Sequence, residues 1–391
     1  MRSLFSIFSI FFRLGCWSFG GPVAHLGYFQ REFVDKRQWL SEQEYLELIA
    51  LCNFLPGPAS SQTGMAIGYQ QRGVLGSLVA FAGFTLPSML LMIAFALLMT
   101  TQLSNDLEAI LHGFKLLAVV VVADAILKML RVSIKSHWHS ALVAGTAIAV
   151  LLLPGAAAQL IILLFAAWLG YLFMQPKIYN QTHSDLSEKS TSGAKVSQMA
   201  AIAFVAGWAL LLVASWLLPS TAWLESIYRV GATVFGGGHV VLPLLSAEQS
   251  ITSTVMASEL LAGYSIAQAI PGPMFTLASY LGVMLGSGVL GGVIATILIF
   301  LPGWLLLLAV LPHWENLRSN RTLRGILGGV QLGVIGLLAA TLYSFVWVGT
   351  VNGAMDMAVV VGLWWLLCSL KWPVWRVVLV AGVSGLVAFA G

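Results

Sequence analysis

The chain has 391 residues, 59% hydrophobic and 9% charged, with a mean hydropathy of +0.91. A soluble domain carries about 25% charged residues, so a water-solvated globule is excluded and an all-α polytopic membrane protein is expected; period-2 strands at barrel spacing are missing from the sequence, which argues against a β-barrel. The net charge of +4 fits basic loops on the cytoplasmic side of a bilayer better than a nucleic-acid partner.

The start, "MRSLFSIFSIFFRLGC", imitates a leader, but Arg13 closes the apolar run and no small-residue cleavage site follows. It is read as a retained first helix over 4–22. An amphipathic connection holding Arg31, Lys36 and Arg37 leads to a short helix over 42–54. Pro56-Gly57-Pro58 then breaks the chain, and a second short helix covers 59–71. Spanning helices are expected near 73–100, 107–131, 139–153 and 156–174. Residues 175–197, rich in Ser, Thr and charge, read as a cytoplasmic linker. A helix over 198–218 follows, then elements over 222–242, 257–269, 274–286, 288–310, 323–347, 354–370 and 373–390, with a second break at Pro271-Gly272-Pro273.

The two halves, 1–174 and 222–391, are related. "RGVLGSLVAFAGFTLP" (72–87) matches "SGVLGGVIATILIFLP" (287–302) at an offset of 215, which also pairs the two Pro-Gly-Pro triplets. At an offset of 216, "LGCWSFGGP" (14–22) pairs with "VGATVFGGG" (230–238), and "AILHGFKL" (109–116) with "GILGGVQL" (325–332). The basic loops do not match. Arg31, Lys36 and Arg37 have no basic counterpart in 247–258, whereas Arg318, Arg321 and Arg324 in half two answer the uncharged start of "TQLSND" in half one. Lys/Arg-rich loops stay cytoplasmic, so the halves are expected to be inverted, with residues 198–221 supplying the odd crossing. Inverted repeats with discontinuous helices are the build of secondary transporters.

The segments on either side of each triplet are too short to span: thirteen helical residues rise about 20 Å against a core of about 30 Å. A re-entrant hairpin turning at depth is expected. A helix restarting after Pro58 leaves the first amides, on Ala59, Ser60, Ser61 and Gln62, without intrahelical acceptors, beside the hydroxyls of Ser60, Ser61 and Thr63. Free amides, hydroxyls and a positive helix end suit an anion. The second half offers Met274, Phe275 and Thr276 in the same place, and a tight inter-helix turn is the bland alternative. Gly20-Gly21 and Gly236-Gly237 mark a second pair of breaks. Arg13 and Arg229 precede them and suit either an oxyanion or lipid head groups. Lys115, answered by Gln331 in half two, is an intramembrane cation. Asp124 and Lys128 have i,i+4 spacing, and Gly325, Gly329 and Gly333 form a small-residue stripe suited to packing within the chain or to a homodimer. Cys16, Cys52 and Cys368 lie far apart in apolar segments, so neither a metal site nor a disulfide is expected, and His25 and His239 do not occupy matching positions. No cofactor is expected.

"FGGPVAHLGYFQREFVDKRQWLSEQEY", "LPGPASSQTGMAIGY", "VFGGGHVVLPLL" and "AQAIPGPMFTLASYLG" resemble the chromate ion transporter family in its long two-domain form. The resemblance covers nearly the whole chain outside the linker. It implies transport of chromate across the cytoplasmic membrane, usually outward, with sulfate as the tetrahedral mimic, and motif positions at Phe19, Gly20, Gly21, Pro22, Pro56, Gly57 and Pro58 with counterparts Phe235, Gly236, Gly237, Pro271, Gly272 and Pro273. Gly238 stands where the first copy has Pro22, which leaves the equivalence of the halves open. An uptake carrier or channel for sulfate or another anion is the alternative on the same fold. An intramembrane enzyme is the alternative from another class, and no H-E-x-x-H, G-x-S-x-G or Walker motif supports it.

Overall fold

Proline, glycine and capping residues decide where this apolar chain turns, and the computed structural model shows them at each break. It describes residues 3–100, 105–174, 191–235, 237–314, 317 and 320–389; most of the expected linker lies outside these. No strand occurs among the described residues. In the first half the helices are α1 (Leu4–Trp17), α2 (Gly21–Phe29), α3 (Glu42–Phe54), α4 (Ala59–Met99), α5 (Asn105–Ser133), α6 (His137–Leu152) and α7 (Ala156–Phe173). α8 (Thr191–Leu217) begins earlier than the sequence reading placed it. The second half follows as α9 (Ala222–Thr233), α10 (Val241–Ser246), α11 (Gln249–Thr252), α12 (Ala257–Ala269), α13 (Leu277–Gly282), α14 (Gly288–Val310), α15 (Arg321–Thr341), α16 (Ala354–Trp364) and α17 (Val374–Phe389). Six stretches of described residues are long and apolar enough to cross a membrane.

α3 starts at a capping box: the Glu44 amide donates to Ser41 Oγ at 3.2 Å and the Ser41 amide to Glu44 Oε2 at 2.7 Å, a device worth about 1 kcal/mol. It stops at Leu55, whose extended backbone feeds Pro56. α4 is not one rod. Arg72 (φ −149°) and Gly73 (φ +60°) leave the helical region. Gly68 and Gly76 lie so close that a Cβ on either would strike the other's carbonyl. Residues eight apart in a straight helix are about 12 Å apart, so the chain doubles back, and 59–71 is a short helix of its own. The second half repeats this: the backbone turns at Gly286 and Gly288, and Gly282 lies against Gly291.

Equivalent contacts recur at the sequence offset. α1 packs on α4 as α9 packs on α14. Gly113 on α5 touches Ala381 and Gly385 on α17; reciprocally, Gly329 on α15 touches Ala166 and Gly170 on α7. The glycine stripe of α15 is thus occupied within the chain. Both of these glycine interfaces, α5 with α17 and α7 with α15, join one half to the other, and small residues let the backbones approach. Trp138 stacks on Phe173, and large apolar side chains such as Leu210 and Trp216 point outward from α8, as a lipid-facing surface requires.

Candidate functional site

Each triplet has two prolines and so a single backbone donor. Both donors are used in the same way, across the molecule. The Gly57 amide donates to the Val234 carbonyl at 2.7 Å, and the Gly272 amide to the Ser18 carbonyl at 3.0 Å. Ser18 and Val234 end α1 and α9 and share the 216-residue offset, so each turn hangs from the break in the opposite half. Only glycine fits. Gly57 has φ +117°, and a Cβ there would meet Gln62 Nε2 at 3.0 Å and Gly303 Cα at 3.1 Å. Gly272 has φ +100°, and its Cβ would meet Ser88 Oγ at 2.8 Å. Ser88 and Gly303 are themselves 215 residues apart.

The side chains around the first triplet are polar, buried and only partly spent. No side-chain cap closes the helix that starts at Ala59. Ser60, Ser61, Gln62 and Thr63 are all buried. His25 Nε2 lies 3.1 Å from the Ser18 carbonyl and Nδ1 3.3 Å from Ser60 Oγ. A carbonyl only accepts, so Nε2 carries the proton; Nδ1 of the neutral ring then accepts from the Ser60 hydroxyl. Thr63 donates back to the Ala59 carbonyl at 2.9 Å, and Gln62 Nε2 donates to the carbonyls of Pro56 and Gly303 at 3.0 and 2.9 Å. Ser61 Oγ and Gln62 Oε1 have no hydrogen-bond partner among the described residues, nor do Ser18 Oγ and Thr85 Oγ1. An unmade buried bond costs about 1–3 kcal/mol, so these atoms make the first turn receptive to a polar guest. The Gln62 amide, expected to be free, donates to the Pro58 carbonyl at 2.9 Å, so the expected donors reduce to the amides of Ala59, Ser60 and Ser61 and the Ser61 hydroxyl.

The second turn differs. After Pro273 comes a 3-10 turn of Met274, Phe275 and Thr276, all buried. Thr276 spends its hydroxyl on the Pro273 carbonyl at 2.7 Å. Two large apolar side chains stand where the first half has Ala59 and Ser60.

Of the other sequence candidates, Gly20 and Gly21 form the break between α1 and α2, and Gly237 the break before α10; Gly236 lies outside the described residues. Arg13 is engaged elsewhere: its Nη2 bonds Glu32 Oε1 at 2.7 Å, alongside Arg37 Nε at 2.7 Å, with Lys36 3.8 Å from Oε2. Burial pushes the Glu32 carboxyl up, but the Arg37 hydrogen bond and the charges of Arg37, Arg13 and Lys36 outweigh it and hold the group below its ordinary range. In half two, Arg229 Nη2 bonds Glu248 Oε2 at 2.6 Å and Glu225 Oε2 at 3.1 Å. There burial prevails over Arg229 and the Ser226 hydroxyl, and Glu248 is pushed up. Both arginines tie a connecting segment to the first helix of their half. Lys115 lines a separate cavity of about 280 Å³ with Glu108, Ser258 and Glu259. Asp124 and Lys128 pair at 2.6 Å. The three cysteines are free, and no group of described residues has the makings of a metal site.

The sequence reading passed over His25 as an organiser and Glu32 as the partner of Arg13. A signal for the second existed, because Glu32 and Glu248 stand at the same 216-residue offset as the two arginines.

Broken helices pinned to each other inside a bundle of apolar spanning helices define a polytopic membrane transporter of the discontinuous-helix type. The chain belongs to the chromate transporter family, whose pattern matches residues 5–171 and 221–386. It is 26% identical over 349 residues to an uncharacterized transporter of Methanocaldococcus jannaschii, covering 88% of this chain and 84% of that one. It is 26% identical to a chromate transport protein of Pseudomonas aeruginosa, covering 86% of this chain and 79% of that one. A probable chromate transport protein of Synechococcus elongatus is 25% identical over 87% of this chain and 84% of its own length. No solved structure matches.

Proposed function

We propose that the chain is a secondary transporter that carries chromate out of the cytoplasm across the cell's inner membrane, holding the oxyanion at the Pro-Gly-Pro turns and alternating access between two inverted repeats. The single observation that carries this reading is the reciprocal clamp of Gly57 on Val234 and Gly272 on Ser18, beside an uncapped helix start and the unpartnered Ser61 hydroxyl. A tetrahedral dianion placed there accepts hydrogen bonds from the amides of Ala59, Ser60 and Ser61 and from the Ser61 hydroxyl, and gains from the positive helix end. Both turns are largely buried, and in this reading release of the anion requires one half to move against the other.

The names of the relatives support chromate as the substrate. The membrane potential supports the direction: outward movement of a dianion into an outside-positive medium is favoured by about 2.3 kcal/mol per charge per 100 mV. The polar first turn and the more apolar second favour one anion per cycle, bound chiefly by the first half. The test is chromate uptake into everted membrane vesicles, with sulfate as competitor. Uptake driven by an inside-positive potential is expected. Accumulation only in right-side-out vesicles, or sulfate moved while chromate is ignored, would overturn the reading.

A further inference from the structure

A cavity of about 590 Å³ lies at the C-terminal end of α5 and the turn between α16 and α17. Lys128, Arg131 and Lys371 line it, with Asp124 as its one carboxylate. Lys128 is neutralised by Asp124. Arg131 and Lys371 have no ion-pair partner among the described residues. Two uncompensated positive charges thus face one space, matching the charge of a tetrahedral dianion. Trp364 and Trp372 line the same space, and the side chains of Arg131 and Lys371 are exposed and open to an incoming ion. The same cavity reaches Phe19 and Gly20, next to the Ser18 carbonyl that holds Gly272.

The backbone adds an independent observation. Lys371 has φ +53°. The Leu370 amide closes on the Trp365 carbonyl at 3.0 Å and the Trp372 amide on the Leu366 carbonyl at 3.1 Å. This is a helix C-terminal turn whose left-handed residue is ordinarily glycine. A lysine there strains the backbone and puts an ammonium into the cavity, the kind of local cost that marks functional positions. The Lys115 cavity has the opposite balance, with Glu108 and Glu259 to one ammonium.

We propose that the Arg131–Lys371 cavity is an antechamber that captures a tetrahedral oxyanion from the cytoplasm and passes it to the break at Phe19 and Gly20. The proposal rests on the transporter reading above. The cytoplasmic side follows from the Lys/Arg cluster of Arg131, Lys135, Lys371 and Arg376 at this end. A lipid phosphate has the same chemistry, so the test separates the two sources.

Full-length protein in phosphatidylcholine nanodiscs is titrated with chromate and with sulfate at equilibrium. Lys371→Gly removes the charge and relaxes the backbone, so folding is not put at risk. It is expected to weaken oxyanion binding about ten- to hundredfold with an unchanged or higher unfolding temperature, and Arg131→Gln is expected to act in the same direction. Wild-type protein that binds no oxyanion, or Lys371→Gly with unchanged affinity, overturns the proposal. In nanodiscs containing phosphatidylglycerol, unchanged chromate affinity supports a free anion as the ligand; abolished binding assigns the cavity to lipid head groups and overturns it. Vesicle transport by the wild type is scored separately. Binding that depends on Lys371 without chromate transport would sink the transport reading and leave the oxyanion site standing.

Discussion

Gly57 and Val234 meet amide to carbonyl at 2.7 Å, and Gly272 and Ser18 repeat the contact at 3.0 Å one repeat offset away. Each proline triplet is therefore held by the half of the chain to which it does not belong. The candidate site is a crossing of two segments, and its geometry depends on both.

Substitution at the glycines tests the crossing. Gly57→Leu is expected to abolish chromate transport while the protein still reaches the membrane, measured by vesicle uptake against immunoblot. Gly272→Ala meets Ser88 Oγ, and overpacking of this kind costs about 1–3 kcal/mol. Ser88→Gly copies the arrangement of Gly57 against Gly303 and is expected to restore part of the lost thermal stability of Gly272→Ala. No recovery in the double variant would show that the contact with Ser88 is not what limits the turn.

His25 is predicted to hold both breaks of its half together. His25→Phe leaves the Ser60 hydroxyl and one bond to the Ser18 carbonyl unmade, and is expected to cost about 1–3 kcal/mol, read as a lower unfolding temperature, with a fall in uptake. His25→Gln, which keeps a donor and an acceptor, should recover part of both. Equal losses in the two variants would mean that ring volume, not hydrogen bonding, is what matters.

The two arginine–carboxylate clusters carry opposite pH signatures. Glu32 is held below its ordinary value of 4.5, so its contribution to stability is present above that value and fades as pH falls through the lowered one. Glu248 is pushed above 4.5; its contribution is full below that value and fades as pH rises through the raised one. Thermal unfolding from about pH 3.5 to 7 should show Glu32→Gln losing the acid-side decline, and Glu248→Gln gaining on the wild type as pH rises. The same slope in both variants would contradict the assignment.

Split chains test how far the halves depend on each other. Residues 1–174 and 191–391 expressed together are expected to assemble and transport, because α5 with α17 and α7 with α15 join the halves through backbone contacts at Gly113, Gly170, Gly329 and Gly385. Either piece alone leaves those faces bare and should be degraded. Co-purification is the measurement; two pieces that accumulate independently would argue against the interlock.

The helices were largely legible in the sequence because their ends are set locally. Pro56, Gly57 and Pro58 stop α3, and Gly73 and Gly288 reverse the chain wherever they sit. The 215- and 216-residue offsets were legible because packing glycines recur in both halves. What was hidden depends on the third dimension. The shared 216-residue offset of Arg13/Arg229 and Glu32/Glu248 hints at a pairing repeated in the two halves, but that Glu32 takes the Arg13 guanidinium across a helix break is visible only in the fold. Nor does Thr63 show that its hydroxyl folds back on Ala59. The anion donors therefore looked more numerous in sequence than they are in space. The left-handed backbone of Lys371 is likewise a property of the folded chain that no residue spacing discloses.

The exchanged tethers also bear on leakage. A pull on the end of α9 is passed to the first turn, and a pull on the end of α1 to the second, so neither turn shifts without tugging its twin. In the alternating-access cycle proposed above, the halves would turn as meshed gears, a mechanical reason for ions not to slip through between strokes.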